Sequence, residues 1–95
     1  MRRTALRAMS SKRRAKQNAY NKARMVVAAR SHGRCEARLV GCDGDGNQAH
    51  HILRRSQGGE DTPENLAWVC PTCHDGIHAN PQRSYSMGLL RRSEA

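Results

Sequence analysis

Residues 49–78 read AHHILRRSQGGEDTPENLAWVCPTCHDGIH, and the fold is decided there. Gln48 to Leu53 has the make-up of a short strand, and Asn65 to Val69 (NLAWV) is an apolar, aromatic run of the same kind. Between them, Ser56 to Glu64 (SQGGEDTPE) is a dense loop signal with two adjacent glycines and a proline. The pattern predicts a β-hairpin over Gln48 to Val69 with a long connecting loop. Residues 72–80 then read as a short helix, stopped by Asn80 and Pro81.

Four of the five histidines fall in two pairs within this unit. His74 and His78 are four apart, so on a helix they share a face and both imidazoles reach one cation. His50 and His51 are adjacent, so on a strand they point to opposite sides. One of them is able to join that cation while its neighbour faces elsewhere. Hydrolysis of a phosphodiester needs such a division: a water deprotonated near neutral pH, and a cation to stabilise charge on the phosphoryl group and leaving oxygen. Neutral histidine, with an ordinary pKa of about 6.5, suits the first task. A base at a loop edge must also be oriented, and Asn65, opening the facing strand, is the candidate. Any one of these histidines alone reads equally well as a further zinc ligand or a surface polar group. Two spaced pairs bracketing a hairpin weigh against that reading of the group.

Cys70 and Cys73 stand immediately before the second histidine pair, separated by Pro71 and Thr72. This knuckle spacing lets two thiolates reach one tetrahedral ion, and Cys35 and Cys42 on a glycine-punctuated turn would complete a closed four-cysteine zinc site. Two other arrangements remain open: disulfides in an oxidising setting, and a mixed site of Cys70, Cys73, His74 and His78. The mixed site ranks lower because it leaves Cys35 and Cys42 without a purpose. Asp43, Asp45 and Asn47 match the opening of a calcium loop, but Gln48 and Arg54 stand where such a loop needs glycine and glutamate. That segment reads as a polar turn.

Working outward, residues 10–31 predict a helix, with Ala15, Ala19, Ala23, Val26 and Val27 near one face, Ser10 or Ser11 as cap and Gly33 as stop. Residues 1–34 carry eleven Lys/Arg and no Asp or Glu, so nearly all of the net charge of +9 is an N-terminal property. Such a block favours a polyanion through phosphate neutralisation and counterion release; a solvated tail or a targeting segment is the plain alternative. The basic start lacks the apolar stretch of a secretory signal, and the longest apolar run, Met25 to Ala29, is too short to span a bilayer. The expectation is a soluble, cytoplasmic protein, where thiols are more often metal ligands than disulfides. With 37% hydrophobic residues and three aromatics in 95 residues, the core is thin and needs a metal staple. The tail from Gln82 to Ala95 offers only Tyr85, Met87, Leu89 and Leu90 for burial and is expected to pack loosely or be disordered.

Taken in order, the paired histidine, the GG loop, Asn65-Leu66, the Cys-x-x-Cys-His and the further histidine resemble the HNH endonuclease signature, in the zinc-stapled form common among bacteriophage and bacterial proteins. The His-His opening is also similar to nuclease colicins. The resemblance implies a small α+β fold, a ββα-metal (His-Me) finger with a structural four-cysteine zinc site, here preceded by a basic helix. It divides the chain into a basic arm and helix (1–31), a nuclease domain (32–82) and a tail (83–95). By position it implies His51 as general base, Asn65 as its orienting residue, and His50 and His74 as ligands of the catalytic ion. His78 matches a position that is a ligand or a phosphate contact. The implied activity is DNA cleavage, nicking or double-stranded, leaving a 5′-phosphate and a 3′-hydroxyl.

Position 50 holds histidine where aspartate is frequent in the family, and an imidazole-rich site favours Zn, Ni or Mn over Mg. The expected cofactors are therefore structural Zn2+ and one catalytic divalent cation (Mg2+, Mn2+, Ni2+ or Zn2+). DNA is the expected partner, and a place beside a phage terminase in genome packaging is compatible with the pattern. Arg54 and Arg55 are placed to meet the scissile phosphate or its neighbours, or stand as exposed loop charge. Arg13, Arg14, Lys16, Lys22, Arg24 and Arg30 are expected along the DNA backbone, giving affinity with little base readout. The competing reading is a non-catalytic zinc-ribbon DNA-binding module.

Overall fold

The computed structural model describes residues 11–92. Helix α1 (Ser11–Arg30) leads into a turn-rich segment, strand β1 (Gln48–His51), a long loop with 3-10 turns at Arg55–Gln57 and Pro63–Asn65, strand β2 (Leu66–Val69), helix α2 (Pro71–Ala79) and helix α3 (Pro81–Ser86). This is a small α+β fold whose centre is a two-stranded antiparallel hairpin followed by a helix, the ββα arrangement. The boundaries predicted from sequence shift by one or two residues. The basic arm and the Ser10 cap lie outside the described residues.

All four residues of β2 are buried, because both faces of the strand are covered. Leu66 and Trp68 pack with Ala23 and Val27 of α1, while Ala67 and Val69 pack with Cys35, Cys70, Cys73, Ile77 and Leu90 on the other side. A four-residue strand alternates side by side, so a thin hairpin supports two half-cores of opposite facing. The register pairs His50 with Ala67 and His51 with Leu66. Residues directly opposite in an antiparallel pair share a face. His50 is thereby sent to the α2 side and His51 to the α1 side.

Only the end of α1 belongs to this core. Ala23 and Val27, four apart, are buried, whereas Val26 is 51% exposed and residues 11–19 are exposed throughout. The wider stripe read from the sequence is thus a correction: a strand this short meets one narrow line of the helix, and Ala15, Ala19 and Val26 fall beyond it. A second tie joins α1 to the hairpin. The Arg30 guanidinium donates to both oxygens of Glu36 at 2.7 and 2.8 Å, and to the carbonyls of Pro63 and Leu66. Glu36 in turn pairs with the free edge of β2, donating its own N–H to the Trp68 carbonyl and accepting the Trp68 N–H. Arg30 is therefore engaged within the fold, and no longer reads as a free DNA-backbone contact.

The tail is also better packed than expected. Asn80 ends α2 and its side chain accepts the Arg83 N–H to start α3. Ser84, fully buried, donates to the Ile77 carbonyl at 2.9 Å. Leu90 is buried against the cysteine side of the core. Alternation of short apolar residues with turns hid this, since a six-residue helix carries too little periodicity to read. No helix among the described residues is long and apolar enough to cross a membrane.

Candidate metal centre and active site

Among the described residues, two groups of side chains that could hold a metal ion assemble on the α2 side of the hairpin, and they are separate. The first is Cys35, Cys42, Cys70 and Cys73, whose sulfurs all lie within 4.8 Å of one another. All four thiols are free of disulfides. Cys42 Sγ and Cys70 Sγ are 4.0 Å apart, against about 3.8 Å for the edge of a tetrahedron with metal–sulfur bonds of about 2.3 Å. Backbone N–H groups of Leu39, Asp43 and Gly44 donate to the sulfurs of Cys73, Cys70 and Cys42. Cys70 caps α2 through its sulfur, which accepts the Cys73 N–H. Burial opposes ionisation of Cys35, yet backbone N–H groups at Arg38, Cys70 and Ala37 bring its thiol down to about 7. Burial pushes the Cys73 thiol up. Four converging thiols, free of disulfides and within 4.8 Å of one another, fit a structural zinc ion, and the donor set suits it.

The second group is His50, His74 and His78, with candidate ligand nitrogens within 4.8 Å of one another. Their ring centroids are 4.8 to 5.5 Å apart, edge towards face. The mixed cysteine–histidine site is not what assembles. His50 is buried, and its Nε2 lies 2.7 Å from the Leu89 carbonyl. A carbonyl only accepts, so Nε2 carries the proton and Nδ1 keeps the lone pair for a cation. Burial holds His50 below its ordinary value, and the facing His74 and His78 add to this. His78 is lowered by burial, by His74 and by the Arg54 charge. Three imidazoles with their ligand atoms this close together would suit a borderline first-row ion.

His51 faces the other way. Its Nε2 lies 2.8 Å from Asp61 Oδ1, and its ring stacks on Tyr20 of α1 at 5.8 Å between centroids with 9° between planes. Asn65 is buried near it, but the amide is spent on backbone: it accepts the Leu53 N–H and donates to the carbonyls of Leu53 and Glu60. The amide thus shapes the loop that follows His51, and the ring's own partner is Asp61. The GG loop is held just as closely. Gly58 adopts a left-handed φ of 91°, and a Cβ on Gly59 would collide with the Leu53 carbonyl.

The basic residues divide into several groups. Arg55 donates from Nε to Asp61 at 3.1 Å and lies 4.9 Å over the Tyr20 ring. Arg13, Lys16, Gln17, Arg55 and Asp61 line a cleft between the front of α1 and the hairpin loop. Arg54 is exposed on the loop beside the histidine cluster, and Lys22 and Arg14 are exposed along α1. Arg24 rests 5.4 Å over the Trp68 ring. Sequence reasoning missed Asp61, Tyr20 and Leu89. For Asp61 the signal was present in the register: a hairpin pairing residues 51 and 66 folds its loop back beside its own start. For Leu89, a backbone oxygen, there was none.

Residues 33–80 match the family model described as HNH endonuclease. Over 37 residues the chain is 43% identical to the type IV methyl-directed restriction enzyme EcoKMcrA of Escherichia coli (strain K12), covering 36% of this chain and 13% of that enzyme. The chain thus spans a small fraction of this curated relative's length. No solved structure matches it.

Proposed function

Because the chain belongs to the HNH endonuclease family, we propose that it is a metal-dependent endonuclease that hydrolyses DNA phosphodiester bonds. The observation that carries this reading is the partition of two adjacent histidines, His50 among the imidazoles of α2 and His51 paired with a carboxylate on the opposite face. A purely structural zinc module has no use for the second arrangement.

In this reading His50, His74 and His78 would hold the catalytic ion, which would supply Lewis-acid stabilisation of the phosphoryl group and leaving oxygen. His51 takes the proton from the attacking water through the ring nitrogen not bonded to Asp61. Asn65 fixes the loop from Leu53 to Glu60 and so the end of the strand that carries His51. Cys35, Cys42, Cys70 and Cys73 would hold a zinc ion that ties α2 to β2 and so keeps the imidazoles of the two elements together. Arg54, whose charge is felt at His78, and Arg55, bonded to Asp61, would meet phosphates flanking the cut. Arg13, Arg14, Lys16 and Lys22 extend that basic surface along α1, giving affinity for the backbone and little base readout. An imidazole-only ligand set favours Zn, Ni or Mn. A place beside a phage terminase is an implication of the sequence pattern alone.

The reading is tested by incubating the full chain with supercoiled plasmid across a panel of divalent cations, beside His51→Ala. The nuclease reading expects nicked or linear product from the wild type. The variant should lose cleavage by about 10²-fold or more while its zinc content and DNA affinity stay level. A wild type that binds DNA but cuts with none of the cations would favour the non-catalytic zinc-ribbon module.

A further inference from the structure

We propose that Asp61 is the positioning residue for His51, fixing which ring nitrogen is available to take up a proton, and that Tyr20 sets the plane of the ring. The catalytic meaning of this rests on the nuclease reading above; its structural content rests on four side chains that close on one another.

An ionised carboxylate has acceptors and no donor, so Asp61 Oδ1 at 2.8 Å requires a proton on His51 Nε2, and of the two neutral tautomers it selects the one with its lone pair on Nδ1. A hydrogen bond at one nitrogen still allows the ring to swing about the line of that bond. The near-parallel Tyr20 ring, offset-stacked at 5.8 Å, removes this freedom from one face. Arg55 closes the circuit, since its Nε donates to the same Asp61 oxygen and its guanidinium covers Tyr20. The carboxylate is not a casual surface partner of Arg55. The Asp61 side chain is 10% exposed against 57% for Arg55, so it is turned inward to the imidazole.

The loop that carries Asp61 is itself held. The Asn65 amide donates to the carbonyl of Glu60, the residue before Asp61, and also grips Leu53 on both its N–H and its carbonyl. Asn65 therefore acts on His51 at one remove, through the position of Asp61. Helix α1 becomes part of the same site, because Tyr20 reaches the ring only while Ala23 and Val27 seat the helix on β2.

The test uses the full chain loaded with zinc and labelled with nitrogen-15, in wild-type, Asp61→Ala and Asp61→Asn forms. Its first readout is water exchange of the His51 Nε2 proton by NMR, with His51→Gln identifying the signal. The proposal expects a protected proton in the wild type, exchange faster by about tenfold or more in Asp61→Ala, and partial protection in Asp61→Asn, which keeps an acceptor oxygen of the same reach. The second readout is plasmid cleavage, where kcat should fall by about 10²-fold in Asp61→Ala with KM changed by less than about threefold. Asp61→Asn should recover part of both, and tests the idea even if Asp61→Ala loses its fold by circular dichroism. Unchanged exchange on removal of the carboxylate would overturn the proposal, as would lost protection with unchanged kcat. A wild type that cuts nothing would count against the nuclease reading, while the exchange measurement still decides whether Asp61 holds the ring.

Discussion

Replacing Arg30 and Glu36, singly and together, measures the clasp that joins α1 to the hairpin. Arg30→Met and Glu36→Gln keep side-chain bulk and remove the charges. Two charge-assisted hydrogen bonds at 2.7 and 2.8 Å link the pair. Hydrogen bonds to charged groups contribute about 1.5–3 kcal/mol each when shielded, but the side chains are 43% and 25% exposed, and exposed ion pairs often contribute under about 1 kcal/mol. A coupling energy of about 2 kcal/mol lies between these limits. In a domain of this size it shifts the melting temperature by about 8–16 °C. Burial works against ionisation of Glu36, but the Arg30 guanidinium and the Trp68 N–H hold its carboxyl below the usual range. With the folded value below the unfolded one, the stabilisation is complete above the unfolded pKa and is lost as pH falls through the folded value. Thermal melts of the double-mutant cycle at pH 7 and pH 5 should therefore give the same coupling. A coupling below about 0.5 kcal/mol, or one that fades between pH 7 and pH 5, would refute the reasoning.

Removing zinc with a chelator, or substituting Cys70→Ser, should unfold the hairpin and α2 together, because Cys70 is at once a cage member, a core residue and the cap of α2; retention of the native near-ultraviolet dichroism would show the cage to be dispensable. Gly59→Ala places a methyl against the Leu53 carbonyl and should destabilise by about 1–3 kcal/mol, read as a lower denaturation midpoint, whereas an unchanged midpoint would mean that the loop has room to spare. Ending the chain at residue 88 removes the Leu89 carbonyl from His50 and Leu90 from the core; affinity for a second divalent cation should fall by about 10- to 100-fold, and equal affinity would deny the tail any part in the site. Lys12→Gln, Lys16→Gln and Lys22→Gln together should flatten the salt dependence of DNA binding by a slope of up to about 3; an unaltered slope would take α1 off the phosphates.

What the sequence displayed of this architecture follows from what each signal depends on. The hairpin, α2 and the cysteine knuckle were legible because they are set by local spacing: His74 to His78 by one helical turn, Cys70 to Cys73 by a knuckle, His50 and His51 by strand alternation. The partition of His50 and His51 to opposite faces needed no more than a strand period of two. What was hidden depends on contacts distant along the chain. Arg30 reads as one more cation in a basic helix, and only the approach of Glu36 and the Leu66 carbonyl makes it a clasp. Tyr20 looks like an isolated aromatic until α1 is laid on β2. The tail was underrated because, beside the buried Leu90, its contribution is made by a backbone carbonyl and by Ser84, neither of which carries hydropathy.

The central claim is that imidazoles of β1 and α2 form one hydrolytic centre, and the most direct test is the single-turnover rate of plasmid cleavage as manganese is titrated into the zinc-loaded chain. The account expects a saturating rise in the wild type, and its loss in His50→Ala at unchanged zinc content. Cleavage that ignores the added cation, or a His50→Ala curve that overlays the wild type, would contradict it.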